Sequence, residues 1–231
     1  MPYGTITSFD ESNFQFGKLI VGSDDGIVSI SNDSGKTWKS LSNNLPPDLW
    51  VSRVIFSKHE KNTIYLSLNG YRYNDFKPYI YVSNDNGDSW ENISSNLPLS
   101  PVNVIREDIN RKEILYVGTD NGLFISFSSG KKWHPFESSL NRVAVHDLVI
   151  QNEKNDLLVG THGRSIYKTN LDLFNDFMIE KNPEKALIIF EINDLKHSNS
   201  WGKKSNYSNV FFKSPSNIST TDVRCLGSGL Q

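Results

Sequence analysis

The sequence predicts an all-β fold made of about four sheets, each with four short antiparallel strands. An eight-residue phrase is written three times, as SNDSGKTW (31–38), SNDNGDSW (83–90) and SFSSGKKW (126–133). A short apolar run also recurs, and its central residues are 45, 51 and 42 residues apart: Val21, Leu66, Val117 and Val159. Helical periodicity is absent from residues 1–170. A period of this length with four strands per repeat is typical of a β-propeller, in which each repeat forms one blade.

The third repeat, residues 102–136, illustrates how the strands are predicted. VNVIRED and ILYVGT are β-branched apolar runs, and the DN before Gly122 favours a tight turn, because Asp, Asn and Gly adopt positive φ at low cost. GLFISF is the third strand, and KWHPF is a short outer strand that tolerates Pro135 at an edge. The longest spacing is explained by an insertion, NGYRYNDFKPY (69–79).

The eight-residue phrase is predicted to be a structural turn. Asp33 can accept backbone N–H bonds inside its own turn, Gly35 supplies the positive φ, and Trp38 can wedge between neighbouring blades. The second copy repeats these roles with Asp85, Gly87 and Trp90, and the third keeps Gly130 and Trp133. Ser128 replaces the aspartate there, which a catalytic carboxylate would not tolerate without loss.

The fourth repeat ends early, because neither a turn phrase nor an outer strand follows GTHGRSIYKTN. We therefore expect a partial propeller of about four blades at residues 1–171, the end of a larger propeller. Its partners would be the remaining blades upstream or, as the alternative, a second chain that closes the ring. Residues 172–231 are predicted to begin a following region and to end in a poorly ordered Ser- and Asn-rich tail.

Composition excludes several classes of function. The net charge of −2 gives no global attraction to nucleic acid, and no apolar run is long enough for a membrane span. Cys225 is the only cysteine, so no intrachain disulfide can form. The five histidines show no metal-binding spacing, and no phosphate loop or dinucleotide fingerprint is present. We expect no metal and no cofactor, and the N-terminal residues do not form a signal peptide.

Propeller ligands usually sit on the channel-facing inner strands and the loops at one mouth. The predicted inner strands are ITSF (6–9), SRVI (52–55), NVIR (103–106) and HDLV (146–149), and the insertion and the THGR turn lie near them. The candidate ligand-binding residues are Arg53, Arg72, Asn103, Arg106, Glu107, His146, Asp147, His162 and Arg164. The alternative is that these side chains only pair with one another, since channel strands are polar in any propeller.

The repeated phrases resemble the Asp box, also called the bacterial neuraminidase (BNR) repeat, S-x-D-x-G-x-[TS]-W. Longer stretches, among them LYVGTDNGLFISFSSGKKW and LVGTHGRSIY, resemble bacterial propeller proteins described as sortilin-like, BNR-repeat or glycosyl-hydrolase-like. The resemblance covers residues 3 to about 171. It implies a secreted or periplasmic protein and a non-catalytic binding or scaffold module that recognises peptide or glycan at the channel mouth.

The resemblance also implies an alternative, a fragment of a xyloglucanase- or sialidase-like glycoside hydrolase. Such an enzyme needs two carboxylates about 5 to 10 Å apart across a cleft, for which Glu107, Asp108 and Asp147 are candidates. No residue is assigned as catalytic. One cysteine cannot form the cysteine-rich module of the sortilin receptors, and the Arg-Ile-Pro start motif of sialidases is absent.

Overall fold

A computed structural model describes residues 4–136 and 142–172 and confirms the predicted partial propeller. Blade 1 contains β1 (Ile6–Glu11), β2 (Leu19–Ser23), β3 (Val28–Ser31) and β4 (Lys39–Ser40). Blade 2 contains β5 (Trp50–Phe56), β6 (Ile64–Asn69), β7 (Tyr79–Ser83) and β8 (Glu91–Asn92). Blade 3 contains β9 (Val102–Glu107), β10 (Leu115–Thr119), β11 (Gly122–Ser126) and β12 (His134–Pro135). Blade 4 contains β13 (Val145–Gln151), β14 (Asp156–Thr161) and β15 (Ile166–Asn170).

Every blade is an antiparallel meander in which sequential strands are neighbours. Within the described residues the fourth blade has three strands, as its early end predicts. The insertion in blade 2 forms a short 3₁₀ turn, Tyr71–Tyr73. The predicted region after the propeller, 172–231, lies outside the described residues apart from Asp172.

The hydrophobic core lies between the blades. Each blade has a leading face toward the blade before it and a trailing face toward the blade after it. Between blades 1 and 2, buried Ile20, Val28, Ile30 and Leu41 pack against residues of blade 2 such as Leu66. A second cluster joins blades 2 and 3, with Ile55, Tyr65 and Ile80 on one side and Ile105 and Trp133 on the other. Since these buried residues come from two neighbouring blades, stability depends on the contact between blades.

The repeated turn at 31–38 and 83–90 is held by its aspartate. Asp33 accepts the Thr37 backbone N–H at 2.9 Å and the Thr37 hydroxyl at 2.6 Å. Asp85 receives the same two bonds from Ser89 at 2.9 and 2.6 Å. These hydroxyl and backbone donors lower the pKa of each aspartate to about 2. In the third turn the Ser128 hydroxyl accepts one backbone bond, from Lys132 at 3.1 Å.

The three turn tryptophans do not have the same environment, which corrects the expectation that each is a wedge. Trp90 donates its indole N–H to the Leu41 carbonyl of blade 1 at 2.9 Å, and Trp133 donates to the Ile93 carbonyl of blade 2 at 2.7 Å. Trp38 instead donates to Gly35 in its own turn and is 45% exposed. The reason is that no described blade precedes blade 1.

Each innermost strand carries a β-bulge at the same position, and three of the bulged side chains bind the next blade. Thr7 donates to the Val51 carbonyl at 2.6 Å and Ser52 donates to the Val102 carbonyl at 2.8 Å. Asn103 donates to the Val145 carbonyl at 3.2 Å. The fourth bulge, at His146, belongs to blade 4, and no further blade follows it in the described residues. Bulges re-aim side chains, and here they turn a polar group onto the neighbouring backbone.

Candidate channel site

Three charged side chains from three different blades meet on the channel side of the inner strands. A terminal nitrogen of Arg53 in blade 2 lies 2.8 Å from an Asp147 carboxylate oxygen in blade 4. Arg106 in blade 3 lies 3.6 Å from the same oxygen. The arginine side chains are only 23% and 24% exposed, whereas Asp147 is half-exposed. We call Arg53, Arg106 and Asp147 the arginine cluster.

The cluster is only partly neutralised. Arg106 also donates its Nε to the Leu148 carbonyl at 2.8 Å, which fixes the plane of its guanidinium. Burial and the neighbouring Arg53 lower the pKa of Arg106, while Asp147 and the more weakly coupled Asp10 oppose that shift. The Nε of Arg53 is buried and makes no hydrogen bond within the described residues. Two guanidinium groups therefore share one close carboxylate.

Asn103 lies at the channel mouth in an amide–carboxylate chain. It accepts a hydrogen bond from Asn69 at 2.9 Å and donates to Asp120 at 2.8 Å. Asn69 ends strand β6, and Asp120 lies in the turn between β10 and β11. Asn103 also holds the backbone of blade 4 through its bulge bond, so its amide is fully engaged.

The remaining mouth residues form two separate contacts. Arg72, from the insertion, lies 3.7 Å from the Asp24 carboxylate and 5.1 Å from the centre of the Trp50 ring. The rings of His146 and His162 stack at 5.3 Å. Arg164 is exposed in the turn between β14 and β15. Neither contact joins the arginine cluster, although all of these residues were predicted as one site.

Glu107 lies apart from the other candidates, at the interface of blades 2 and 3. It is 4% exposed and accepts hydrogen bonds from the hydroxyls of Ser57 and Tyr65 and from the Lys58 backbone. Burial raises the pKa of Glu107, and the donated hydrogen bonds oppose that shift in part. Its carboxylate thus bonds two blades together and does not face the channel.

The hydrogen bonds of Asp108 also indicate a structural role. One carboxylate oxygen accepts the backbone N–H groups of Asn110 and Arg111 at 2.8 and 3.0 Å, and the other accepts the Tyr116 hydroxyl at 2.8 Å. The side chain is 4% exposed. Both oxygens are occupied within blade 3.

Comparison with solved structures identifies the architecture. The GH74 xyloglucanase from Xanthomonas campestris superposes with a TM-score of 0.58 and 15% identity, over 73% of this chain and 29% of that chain. The chain folds as a partial β-propeller. YCF48 bound to D1 peptide gives a TM-score of 0.53 and 16% identity, over 73% of this chain and 52% of that chain. The extracellular domain of BT4673 from B. thetaiotaomicron gives 0.53 and 19%, over 71% and 21%. At these identities the likeness shows the fold alone.

Sequence comparison is less extensive. No family model matches the chain. The vacuolar protein sorting/targeting protein PEP1 of Saccharomyces cerevisiae strain RM11-1a is 30% identical over 99 residues, or 43% of this chain. The chain spans about 5% of the length of the curated relatives it matches, and the same figures hold for strain AWRI1631.

The structure adds residues that sequence reasoning missed. Asn69 and Asp120 complete the amide chain at the mouth, and Thr7 makes the first of the bulge bonds. When the four inner-strand sequences are aligned on the bulge position, Thr7 aligns with Ser52, Asn103 and His146. That alignment could have identified Thr7. Among the described residues, no group of three or more His, Cys, Asp or Glu side chains could hold a metal ion. The same residues contain no helix that is both long and apolar enough to span a membrane.

Proposed function

We propose that the chain is a non-catalytic propeller module that binds an anionic group of its ligand at the arginine cluster. The observation that carries this proposal is the convergence of Arg53 and Arg106 on one carboxylate oxygen, which belongs to the more exposed Asp147. Guanidinium groups bind carboxylates through paired, charge-assisted hydrogen bonds. A ligand carboxylate would therefore replace or join Asp147, which is the most exposed member of the cluster.

The ligand class that we propose is a peptide with a carboxylate, either at its C terminus or on an acidic side chain. One structural neighbour, YCF48, is bound to a peptide. The insertion of blade 2 offers two exposed aromatic side chains, Tyr71 and Tyr73, beside Arg72. Aromatic rings and arginine are favoured residues for peptide and protein contacts.

Glycoside hydrolysis receives less support from the contacts. That reaction needs one carboxylic acid and one carboxylate facing each other across a cleft. Glu107 and Asp108 are buried and engaged by donors from their own surroundings, and Asp147 is paired with two arginines. We therefore do not propose a carboxylate pair in these blades. The xyloglucanase likeness remains a likeness of fold.

We further propose that the repeated turns are Asp boxes of the BNR type and that the protein is secreted or periplasmic. The turn hydrogen bonds of Asp33 and Asp85 support the first proposal, because each aspartate serves its own turn. The extracellular location named for BT4673 is consistent with the second.

The test is NMR observation of the arginine Nε–H groups during titration with three probes. These are a mixture of hexapeptides with free C termini, the same mixture amidated, and an oligogalacturonate. We expect the free peptides to shift the Arg53 and Arg106 signals and the amidated mixture to shift them less. A response to oligogalacturonate alone would replace peptide by acidic glycan as the ligand. No response of either arginine to any probe would contradict the proposal.

Two variants and a control complete the experiment. Arg53→Gln and Arg106→Gln should each weaken peptide binding by at least about tenfold, equal to about 1.4 kcal/mol. Arg111→Gln is the matched control, because Arg111 lies in the turn between β9 and β10, outside the cluster. Equal binding by all three variants would place the ligand elsewhere.

A further inference from the structure

The leading face of blade 1 exposes apolar residues at positions that are buried in the other blades. Phe9 pairs with Val21 across the two innermost strands of blade 1. The equivalent residues of blades 2, 3 and 4, which pair with Leu66, Val117 and Val159, are fully buried at 0% exposure: Val54, Ile105 and Leu148. Phe9 is 60% exposed. This face has the composition of a blade interface without a described blade against it.

Two further positions on this face show the same contrast. Ile6 immediately precedes the first bulge and is mostly exposed, whereas its equivalents Val51, Val102 and Val145 are fully buried. Trp38 is 45% exposed, whereas Trp133 is 2% exposed in its blade interface. A sheet face with several large apolar side chains in water usually marks a site of association.

The trailing face of blade 4 has no neighbouring blade among the described residues, and it complements the leading face of blade 1. Ile166 is mostly exposed, whereas its equivalents Val28, Ile80 and Leu123 are buried against the next blade. Val149 on the same face is half-exposed. The bulge side chain of His146 is exposed too, while those of Thr7, Ser52 and Asn103 bind the next blade.

A glycine on the trailing face shows how the next blade fits. A Cβ on Gly22 of blade 1 would lie within 2.2 Å of Val51, and a Cβ on Gly118 of blade 3 would lie within 2.6 Å of Val145. The residue before the bulge therefore sits directly on this glycine. Gly160 is the equivalent in blade 4, and a Cβ there would meet only Asp147 of its own blade, at 3.5 Å. No residue of another described blade fills the space next to Gly160.

We propose that a second copy of this chain docks head to tail on these two faces. Ile6 of the second copy would sit on Gly160, and His146 would donate to the Ile6 carbonyl as Thr7 donates to Val51. The occupant is a second copy because this chain carries both halves of one repeating interface, and the same interface already joins its own blades. Such heterologous contacts form a closed ring when the rotation closes. Two copies of the four described blades give eight, within the range of about four to eight known for propellers.

The proposal does not rest on the proposed ligand, because it is argued from the packing of the blade faces and not from the charges of the arginine cluster. The test is light scattering of the full chain after size exclusion, over a range of concentrations. The expected species has twice the mass of the 26.2 kDa chain. A monomer at all concentrations would overturn the proposal, as would a polymer that does not close at two copies.

Variants of each face make the test specific. Ile6→Glu places a charge on the leading face, and Gly160→Leu fills the hole on the trailing face without requiring a positive φ. Each variant alone should be monomeric, with a circular dichroism spectrum like that of the wild type and a lower Tm, because oligomerisation raises apparent stability. Phe9→Glu provides a second leading-face variant if Ile6→Glu does not fold. Leu99→Glu is the control, because Leu99 is exposed and lies outside both faces, and it should remain dimeric.

Mixing the two monomeric variants distinguishes head-to-tail docking from a dimer in which one face binds the same face of the other copy. The Ile6→Glu chain keeps an intact trailing face, and the Gly160→Leu chain keeps an intact leading face. Their mixture should form a one-interface heterodimer, at a higher concentration than the wild type needs. If the mixture stays monomeric, or if either variant alone remains dimeric, the assigned faces are wrong.

Discussion

Replacing Trp133 by alanine should destabilise the propeller much more than replacing Trp38 by alanine. Both residues close the same repeated turn, so their local conformations are alike. Trp133 is buried between blades 2 and 3 and donates to the Ile93 carbonyl, whereas Trp38 lies on the open leading face of blade 1. The difference between the two variants therefore measures the blade interface and not the turn.

The magnitude follows from burial. Truncating a fully buried tryptophan to alanine costs about 3 to 5 kcal/mol, including the cavity that remains. Trp38 is 45% exposed, so it gains about half of the 1.5 to 3 kcal/mol typical of a fully buried large side chain, or about 1 kcal/mol. Its hydrogen bond to Gly35 stays inside one turn, where water can replace the donor.

Urea unfolding followed by circular dichroism measures both losses of unfolding free energy, and thermal melts measure the matching shifts in Tm. Both are recorded at protein concentrations below those at which the chain associates. For a domain of this size, 1 kcal/mol corresponds to about 2 to 4 °C in Tm. Trp133→Ala should therefore lower the Tm by about 6 to 20 °C and Trp38→Ala by about 2 to 4 °C. Losses that agree within about 1 kcal/mol would refute the view that the core lies between the blades.

Three further predictions use the same turns and interfaces. Gly130→Ala should cost about 2 to 4 kcal/mol in urea unfolding, from positive φ and overlap with Ile93. Gly35 has the same φ of 84°, but no atom lies nearer than 3.7 Å to a Cβ built there, so Gly35→Ala should cost only about 1 to 2 kcal/mol. Equal costs for the two variants would mean that backbone strain alone acts and that overlap with Ile93 adds nothing. The lowered pKa values of Asp33 and Asp85 predict a Tm that is steady above about pH 4 and falls between about pH 4 and 2, because the unfolded chain binds protons first. The double variant Asp33→Asn/Asp85→Asn should flatten that fall, and an unchanged profile would assign it to other carboxylates. Glu107→Gln should cost about 1 to 3 kcal/mol in urea, because an amide cannot accept bonds from Ser57, Lys58 and Tyr65 on both atoms; an unchanged midpoint would mean that these bonds add nothing.

The repeat predicted the blades because strands and turns are local features. The spacing of the apolar runs, the DN before Gly122 and the glycine of each repeated turn all depend on residues within one blade. The structure places β10, β11 and their turn where these patterns put them. The expected end of blade 4 after its third strand follows from the same local reading.

The grouping of the site residues could not be predicted, because it depends on contacts between blades. In a regular strand the side chains of His146 and Asp147 would point to opposite faces of the sheet, but the bulge at His146 changes the direction of each side chain. Arg53 and Asp147 are 94 residues apart in sequence, and nothing local to either indicates their contact. Glu107 is a charged residue at the end of an inner strand, so its sequence position suggests ligand binding. Only its hydrogen bonds from blade 2 show that the carboxylate is buried between blades.

The bulge bonds have a consequence for how such a chain can change over evolutionary time. Each donor is a different residue type, but every acceptor is a main-chain carbonyl, which any substitution in the neighbouring blade preserves. The hydrogen bond between two blades thus places no demand on the side chain across from it, although the buried valine that carries the carbonyl is still constrained by packing. One blade can therefore acquire a new channel-lining residue while this hydrogen bond still aligns it with the next blade.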